Sequence, residues 1–302
     1  MRKGSAGNWH EDAPAAMVRG MADEAFPSAP TRDPSVPPAS GAARPSTPSA
    51  SERGEAPEAR WFGFREVDPN AKAPMVRQVF DSVATNYDLM NDLMSGGVHR
   101  LWKSTLIEMI KPRPGMTLLD VAGGTGDISF RFLDAAGNGA NAFVCDINEQ
   151  MILVGRDRAI DRGVLDGVEW IVGDAEKVPL KSRSVDVYTI AFGLRNVTRI
   201  DAALAEARRV LKPGGRFFCL EFNRVVLPVL RDIYDQYSFT VLPRLGQMVA
   251  GDREAYQYLV ESIRQFPDQE SLVGRIEAAG FGQVRYRNLT GGVAAIHSGW
   301  RL

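Results

Sequence analysis

Short apolar runs alternate with amphipathic stretches along the chain from Met116 onward. Five runs have the length and composition of buried strands: MTLLDVA, NAFVCDI, VEWIVGD, DVYTIAFGL and RFFCLEF. Apolar residues recur every three or four positions in the stretches between them, DISFRFLDAAG, EQMILVGRDRAIDRG and IDAALAEARRVLKPGG, which predicts helices. Strands that alternate with helices predict an α/β fold, in which a mostly parallel sheet has helices on both faces.

Three segments depart from this alternation. The closing stretch GQVRYRNLTGGVAAIHSGW predicts a C-terminal antiparallel hairpin that turns at Thr290-Gly291-Gly292. Near the start, MVRQVFDSVATNYDLMNDLMSGGVHRLWKSTLIEMI predicts two amphipathic helices separated at Ser95-Gly96-Gly97. Residues 225–280 form a helical insertion rich in Tyr and Phe. This insertion is either a packing layer over the sheet or a lid that lines the binding site of an apolar ligand.

The first sixty residues differ in composition from the rest. They hold nine of the eighteen prolines, among Ala, Ser, Gly and charged residues, with almost no periodic apolar positions. Such a segment cannot bury enough apolar surface to offset the entropy of ordering it, so residues 1–60 are predicted to be a disordered tail. Eight acidic residues and the lack of a long apolar stretch disfavour a targeting peptide. Residues 61–302 have a suitable length for one domain.

Charge and cysteine content narrow the function classes. Subtracting the seven basic and eight acidic residues of the tail from 36 and 37 leaves 29 of each, so the predicted domain is formally neutral. This balance disfavours general nucleic-acid binding, which favours a basic excess. Cys145 and Cys219 are isolated in apolar runs, which indicates a reducing compartment. No apolar run approaches the roughly 20 residues that span a bilayer, so we expect a cytoplasmic protein, soluble or peripheral at the inner face of the membrane.

The segment LLDVAGGTGD predicts a strand, a glycine-rich turn and the start of a helix. Gly123, Gly124 and Gly126 would let the backbone turn tightly and approach a ligand. The turn lacks the spacing and the Lys of a P-loop, and its glycines do not fit the GxGxxG of a dinucleotide fold. Asp120 and Asp127 would also repel a pyrophosphate. An acid beside such a turn suits S-adenosylmethionine, a cofactor that carries a sulfonium and an ammonium and no phosphate.

Acidic residues also end the next two predicted strands. Asp146 follows Gly126 by twenty residues, where a carboxylate can accept hydrogen bonds from both ribose hydroxyls. Asp174 and Ala175 follow the third strand, where this kind of fold reads the adenine edge. Because ligands of parallel sheets bind outside the carboxyl ends of the strands, these positions together predict a binding site for S-adenosylmethionine.

Most of the chain from Trp61 to Leu302 resembles the ubiquinone/menaquinone biosynthesis C-methyltransferases. The narrowest matching motifs are AGGTGD, FGLRNVT and RVLKPGGRFFCLEF. The resemblance implies a class I methyltransferase with a Rossmann-like sheet, and cofactor contacts at Thr125, Asp146, Asp174 and Ala175. Members of that family often carry Ser where this chain has Ala191, so one hydroxyl contact to the cofactor is expected to be lost or replaced.

The resemblance also implies the reaction: methyl transfer to a ring carbon of a polyprenylated benzoquinol or naphthoquinol. Arg195 and Asn196, in FGLRNVT, are the predicted catalytic residues, with Arg195 holding the developing phenolate oxygen and Asn196 donating or accepting beside it. The alternative is that Arg195 pairs with Asp88 or another acid and only braces the loop.

The proton acceptor and the partners stay open at this point. Asp88, Asp252 and His297 are candidate bases, with Tyr87 as an orienting hydroxyl, and His99 is expected to be a packed or half-exposed histidine. Three scattered histidines predict no metal site. A homodimer, a quinone-synthesis complex and peripheral membrane contact are compatible with the resemblance. Alternative functions are methylation of another small molecule or RNA, a nicotinamide oxidoreductase, or a catalytically silent scaffold.

Overall fold

The computed structural model describes residues 61–83, 87–226, 236–237, 240 and 253–302. The predicted disordered tail, residues 1–60, lies outside this range, and so do most residues of the aromatic-rich insertion before Arg253.

Nine strands and eight helices are described. The strands are β1 (Trp61–Phe62), β2 (Arg65–Glu66), β3 (Thr117–Val121), β4 (Asn141–Asp146), β5 (Val168–Val172), β6 (Val185–Ala191), β7 (Leu211–Phe222), β8 (Gly282–Leu289) and β9 (Ala294–Trp300). The helices are α1 (Pro69–Val83), α2 (Tyr87–Ser95), α3 (His99–Ile110), α4 (Asp127–Ala136), α5 (Glu149–Asp161), α6 (Ile200–Val210), α7 (Arg253–Gln265) and α8 (Gln269–Ala278). Short 3-10 turns occupy Leu194–Asn196 and Thr290–Gly292.

Seven strands form the main sheet in the order β5-β4-β3-β6-β7-β9-β8. The first five are parallel, and β9 joins antiparallel to both β7 and β8. The prediction of a mostly parallel sheet with a C-terminal antiparallel hairpin is therefore confirmed. Strand order reverses direction between β3 and β6, and open α/β sheets bind their ligands at such a switch point.

The core lies on both faces of the sheet because successive residues of a strand point to opposite sides. Leu118 packs into a cluster with residues of α1 to α4 and α7, whereas Leu119 packs into a second cluster with residues of α6 and α8. In β7, Phe218 belongs to the first cluster and Phe217 to the second. This accounts for the nearly continuous apolar runs of the central strands, which helices cover on both sides.

Two predicted boundaries were wrong. The segment from residue 69 to 110 contains three helices, where the sequence predicted two. Helix α6 ends at Val210, and the following LKPGG belongs to β7 instead of the helix. Pro213 has no N–H to continue a helix and disfavours helical torsion angles at Lys212, so the chain turns into the strand at the buried Leu211.

A small antiparallel pair, β1 and β2, precedes α1 and was not predicted from the sequence. Within the described part of the chain, no helix is long and apolar enough to cross a membrane.

Candidate active site

The two central strands end in the same unusual way. Ala122, after β3, and Phe192, after β6, both have positive φ angles, of 50° and 57°. Gly193 then passes so close to Ala122 that a Cβ on Gly193 would lie 2.3 Å from the Ala122 Cβ. Positive φ is uncommon for residues with a side chain, and strain of this kind clusters at functional sites. Both strand ends turn sharply here, at the switch point of the sheet.

A cleft with mostly apolar walls and a few convergent polar groups lies at these strand ends, as is typical of a small-molecule site. We call it the central cleft. Its walls come from the ends of β3, β4, β5 and β6 and from one side of α1: Ala73, Val76, Phe80, Val121, Ala122, Gly124, Asp146, Ile147, Met151, Gly173, Asp174, Ala175, Glu176, Phe192, Gly193, Asn196, Val197 and Thr198. This lining contains three acidic residues and neither Lys nor Arg.

Asp146 is held rigidly at the end of β4. It is buried, and its carboxylate accepts hydrogen bonds from the backbone N–H groups of Gly124 and Asn148, both at 2.9 Å. Burial raises the pKa of Asp146 to about 6, and the two backbone hydrogen bonds oppose that rise. Asn148 also caps α5 by accepting from the Met151 N–H at 3.1 Å, so the strand end and helix start are fixed together.

The second predicted pair of cofactor residues also lines the central cleft. Asp174 Oδ1 accepts from the backbone N–H of Glu176 at 2.9 Å, which fixes the turn after β5. Ala175 is buried beside it. The structure therefore brings Asp146, Asp174 and Ala175 together, although 28 positions separate the two aspartates in the sequence.

The glycine turn contributes mainly backbone atoms to the central cleft. Of the four turn residues predicted from the sequence, Gly124 lines the central cleft. Thr125 turns its hydroxyl to Arg158, whose Nη1 donates to it at 3.0 Å. A Cβ on Gly123 would lie 2.9 Å from the backbone oxygen of Asp120, and one on Gly126 would lie 2.7 Å from the Trp170 ring. Trp170 also fills the space next to Gly155, where a Cβ would lie 2.3 Å from the ring.

Asp120 lies beneath the turn, fully buried. Thr189 Oγ1 donates to one of its oxygens at 2.8 Å, and Ser129 Oγ donates to the other at 3.1 Å. Burial raises the pKa of Asp120 to about 7, against the opposing effect of the two hydroxyls. Nearby, Lys103 Nζ pairs with Asp127 at 2.8 Å. Asp120 is thus enclosed by polar partners, whereas the Asp127 side chain is 30% exposed.

Asn196 and Arg195 point to different places. Asn196 lines the central cleft. The Arg195 side chain is only 1% exposed, and its Nη1 lies 2.5 Å from Glu221 Oε1 and donates to the Phe192 carbonyl at 2.7 Å. The prediction that Arg195 presents its charge to an acceptor does not match this geometry. The alternative of a bracing ion pair does, with Glu221 as the acid in place of Asp88.

Glu221 was missed from the sequence, although a signal was present. It lies in RFFCLEF, a run that is otherwise buried and apolar, and an acid in such a place requires a partner. Burial raises its pKa, and the Arg195 charge opposes that shift. Tyr258 was also missed: its hydroxyl donates to Asn196 Oδ1 at 2.9 Å, and 62 positions separate the two residues.

Of the candidate bases, the structure describes the side chain of His297, which does not line the central cleft. His297 is fully buried on β9, its Nε2 lies 3.0 Å from the Gln269 carbonyl on α8, and burial lowers its pKa to about 4. Asp252 and the side chains of Tyr87 and Asp88 lie outside what the structure describes. His99 is buried, with Nε2 2.8 Å from Asp92. Among the described residues, no group of three His, Cys, Asp or Glu side chains could hold a metal ion.

Comparison with known proteins identifies the relatives of this chain. A family model described as the ubiE/COQ5 methyltransferase family matches residues 68–301. The ubiquinone/menaquinone biosynthesis C-methyltransferase UbiE of Cereibacter sphaeroides (strain ATCC 17029) is 59% identical over 241 residues, which cover 80% of this chain and 96% of that protein. Its counterpart in Brucella abortus (strain S19) is 56% identical over 243 residues, 80% of this chain and 90% of that protein.

Solved structures share the fold at much lower identity. A SAM-dependent methyltransferase from Thermotoga maritima aligns with a TM-score of 0.55 and 18% identity, over 75% of this chain and all of that one. The [4+2]-cyclase SpnF aligns with a TM-score of 0.53 and 20% identity, over 73% and 76%. Because one fold carries differently named activities, the fold alone does not specify a reaction.

Proposed function

The chain belongs to the ubiE/COQ5 methyltransferase family, and from this premise we propose that it is an S-adenosylmethionine-dependent C-methyltransferase. Its acceptor is a ring carbon of a polyprenylated benzoquinol, or of a demethylmenaquinol, in ubiquinone or menaquinone biosynthesis. One observation carries the proposal beyond the family name: three acids and no Lys or Arg line the central cleft, at the switch point of the sheet.

This lining suits the cofactor by the charges of Asp146 and Asp174, because the third acid, Glu176, is paired with Arg199. S-adenosylmethionine is cationic at its sulfonium and ammonium, so carboxylates stabilise it, whereas the pyrophosphate of a nicotinamide dinucleotide would be repelled. Asp146 is the proposed acceptor for the two ribose hydroxyls, and Asp174 with Ala175 the proposed contact to the adenine. Gly124 lines the central cleft with a positive φ of 53° and no side chain, which leaves its backbone open to the cofactor. Asp120, beneath the turn, is a proposed further source of negative charge at a pH above its raised pKa of about 7.

The cofactor, when bound, supplies an electrophilic methyl group. The protein must align a ring carbon with that methyl, stabilise the neighbouring oxygen as it becomes a phenolate, and exclude water. Val76, Phe80 and Phe192 give the central cleft an apolar wall that suits both an aromatic ring and the start of a prenyl chain. Asn196 is the proposed donor to the quinol oxygen.

Arg195 enters this proposal as a positioning residue instead of the oxyanion holder. Its backbone N–H and its guanidinium both bond to Glu221, so the ion pair fixes the 3-10 turn that carries Asn196. The polyprenyl tail needs a path out of the central cleft, and the predicted lid in residues 225–280 is the proposed cover for it. Peripheral membrane contact, a homodimer and a quinone-synthesis complex stay predictions.

The cofactor site is tested by Asp146→Asn. This change keeps the size of the side chain but removes the bidentate acceptor, so we expect affinity for S-adenosylhomocysteine, measured by calorimetry, to fall at least tenfold. Asp157→Asn, on the exposed side of α5, is the matched control and should bind as the wild type does. Stabilisation of the protein by NADH instead of S-adenosylhomocysteine would contradict the proposal.

The acceptor is tested in a strain whose own enzyme of this family has been deleted. Expression of this chain should replace the accumulated demethylated quinone by the methylated one, as measured by mass spectrometry of the extracted lipids. The quinone that is restored identifies the benzoquinol, the demethylmenaquinol or both as acceptor. A chain that binds the cofactor but restores neither would be the catalytically silent scaffold.

A further inference from the structure

Tyr258, on α7, holds the side chain of Asn196 from outside the central cleft. We propose that Tyr258 is a positioning residue that fixes the orientation of the Asn196 amide, so that its NH2 group faces the central cleft as a hydrogen-bond donor. The proposal rests on the proposed function, because that donor is assigned there to the quinol oxygen.

The hydrogen-bond pattern of Asn196 supports this assignment. Its Oδ1 accepts from the Tyr258 hydroxyl at 2.9 Å, and its backbone N–H donates to the Gly193 carbonyl at 3.0 Å. Within the part of the chain that the structure describes, Nδ2 makes no hydrogen bond. Asn196 is half-buried and lines the central cleft, so the two Nδ2 hydrogens are left to donate to a ligand.

An asparagine in this place needs such a partner. Rotation of its amide by 180° exchanges donor and acceptor at almost no change in shape, and only hydrogen bonding separates the two states. Tyr258 is buried, and burial raises the pKa of its hydroxyl well above the ordinary value, so the hydroxyl keeps its proton. In the rotated state that buried proton would lose its acceptor, which disfavours the rotation.

Tyr258 is itself held in place by the N-terminal strand pair. Its ring stacks on Phe62 with centroids 4.1 Å apart and planes 18° apart. One turn further along α7, Glu261 Oε2 accepts from the Phe64 N–H at 3.0 Å. The hydroxyl therefore has little freedom to follow a moving amide. Its position is set by α7 and by β1, neither of which contributes a residue to the lining of the central cleft.

The orientation has a chemical consequence. The hydrogen bond that the Asn196 amide donates becomes stronger as the quinol oxygen loses its proton, because hydrogen bonds to a charged acceptor are about twice as strong as neutral ones. An acceptor in the same place would oppose the same charge. Fixing the amide therefore favours the transition state over the ground state, and its loss should appear mainly in kcat.

The experiment begins with Tyr258→Phe, which removes the hydroxyl and keeps the ring on Phe62. We expect kcat for quinol methylation to fall about two- to tenfold, the value of one neutral hydrogen bond, with KM for S-adenosylmethionine changed less than twofold. Tyr256→Phe is the matched control, since it removes another buried hydroxyl from α7 but about 200° around the helix. It should keep the wild-type kcat.

The pair is then tested for coupling. In an Asn196→Ala background, Tyr258→Phe should cause no further loss of kcat, because its effect passes through the missing amide. Losses that multiply, or a Tyr258→Phe variant with the wild-type kcat, would overturn the proposal.

A second measurement separates this inference from the proposed function. The side-chain amide signals of Asn196, identified in 15N NMR spectra by their loss in Asn196→Asp, should shift or broaden in Tyr258→Phe, with S-adenosylhomocysteine present. They should stay unchanged in Tyr256→Phe. This result is expected even if the wild type methylates no quinol. Unchanged Asn196 signals in Tyr258→Phe would overturn the assignment of Tyr258.

Discussion

Arg195 and Glu221 bring two opposite charges into a place that is almost free of water. Their side chains are 1% and 0% exposed, and Arg195 lies 5.7 Å from the Phe222 ring centroid. Removing one member of a buried pair leaves the other without compensation, which typically costs about 3 to 5 kcal/mol. We therefore expect Arg195→Ala to lower the free energy of unfolding by about that amount, as measured by urea denaturation.

The double variant is the control for this interpretation. Arg195→Met combined with Glu221→Leu removes both charges and keeps the volume, so it should be more stable than Arg195→Ala. Retained stability in Arg195→Ala, together with complete loss of methylation, would instead return Arg195 to a direct role at the acceptor.

Asp120 should make the stability of the protein depend on pH. Its pKa is raised from 3.8 to about 7, so the folded state binds the proton more tightly than the unfolded state does. Stability is therefore greatest below about pH 4 for this group and falls by roughly 1.4 kcal/mol per pH unit until pH passes about 7. Asp146, with its pKa raised to about 6, adds a fall of the same sign.

Asp120→Asn tests this pH dependence. The variant keeps partners for Thr189 and Ser129 but cannot ionise, so its free energy of unfolding, followed from pH 4 to 8, should fall less steeply than in the wild type. Asp166→Asn, at an exposed position, should keep the wild-type slope. Equal slopes for Asp120→Asn and the wild type would show that Asp120 ionises as readily in the fold as in the unfolded chain.

At this scale the sequence could predict which residues come together at the ends of the strands, and their role in binding a cofactor stays a prediction. Asp146 and Asp174 come at strand ends, and parallel strands bring their carboxyl ends together. Side-chain partners could not be predicted in this way. The pairing of Arg195 with Glu221, and of Asn196 with Tyr258, depends on how β7 and α7 pack, which the local pattern does not contain.

At the scale of elements, the contact between the ends of β3 and β6 depends on a single glycine. A Cβ on Gly193 would lie 2.3 Å from the Ala122 Cβ, which is much closer than two non-bonded carbon atoms can approach. We expect Gly193→Ala to separate the two strand ends, lowering the melting temperature by several degrees and weakening the binding of S-adenosylhomocysteine. Thermal denaturation and calorimetry measure the two effects.

Gly274→Ala is the matched control in α8. A Cβ there meets nothing within 4 Å, and alanine favours a helix over glycine, so this variant should be as stable as the wild type or slightly more stable. Wild-type stability and cofactor binding in Gly193→Ala would mean that the strand ends can move apart without cost.

The same scale explains which elements could be predicted. Strands β3 to β7 followed from apolar runs, β8 and β9 followed from the turn signal at Thr290-Gly291-Gly292, and α4, α5 and α6 followed from helical periodicity. The pair β1 and β2 could not, because two-residue strands contain no period. The sequence has no glycine or proline between Val83 and Tyr87, so it predicted one continuous helix where the structure gives α1 and α2.

At the scale of the whole molecule, we expect the predicted tail to be dispensable for folding and for cofactor binding. Residues 1–60 precede both the family match, which begins at residue 68, and β1. We expect deletion of residues 1–60 to leave the melting temperature and the affinity for S-adenosylhomocysteine unchanged. Thermal denaturation and calorimetry on the shortened chain test this.

A slightly longer deletion is the informative comparison. Removing residues 1–66 also removes β1 and β2, and with them the Phe62 ring that stacks on Tyr258. Such a pair contributes about 0.5 to 1.5 kcal/mol, so the melting temperature should fall by a few degrees, and kcat should fall with it. Equal behaviour of the two deletions would mean that the strand pair does not support the site.

The class of the sheet could be predicted at this scale because it follows from the order of elements, whereas the disordered tail inferred from composition stays a prediction. The separation of Arg195 from Asn196 could not be predicted. These neighbours in sequence lie in one 3-10 turn, and only the packing of that turn against β7 decides which side chain lines the central cleft.

The Trp170 ring lies between the glycine turn and α5. Its contacts with Gly126 and Gly155 mean that positions 126, 155 and 170 should evolve together. A side chain at Gly155 would collide with that ring, and so would one at Gly126. Position 155 lies within a helix, where alanine would otherwise be favoured over glycine. Such a replacement therefore becomes acceptable only in a lineage that has first acquired a smaller residue at 170. Among relatives, we therefore expect a larger residue at position 155 to occur only together with a residue smaller than tryptophan at position 170.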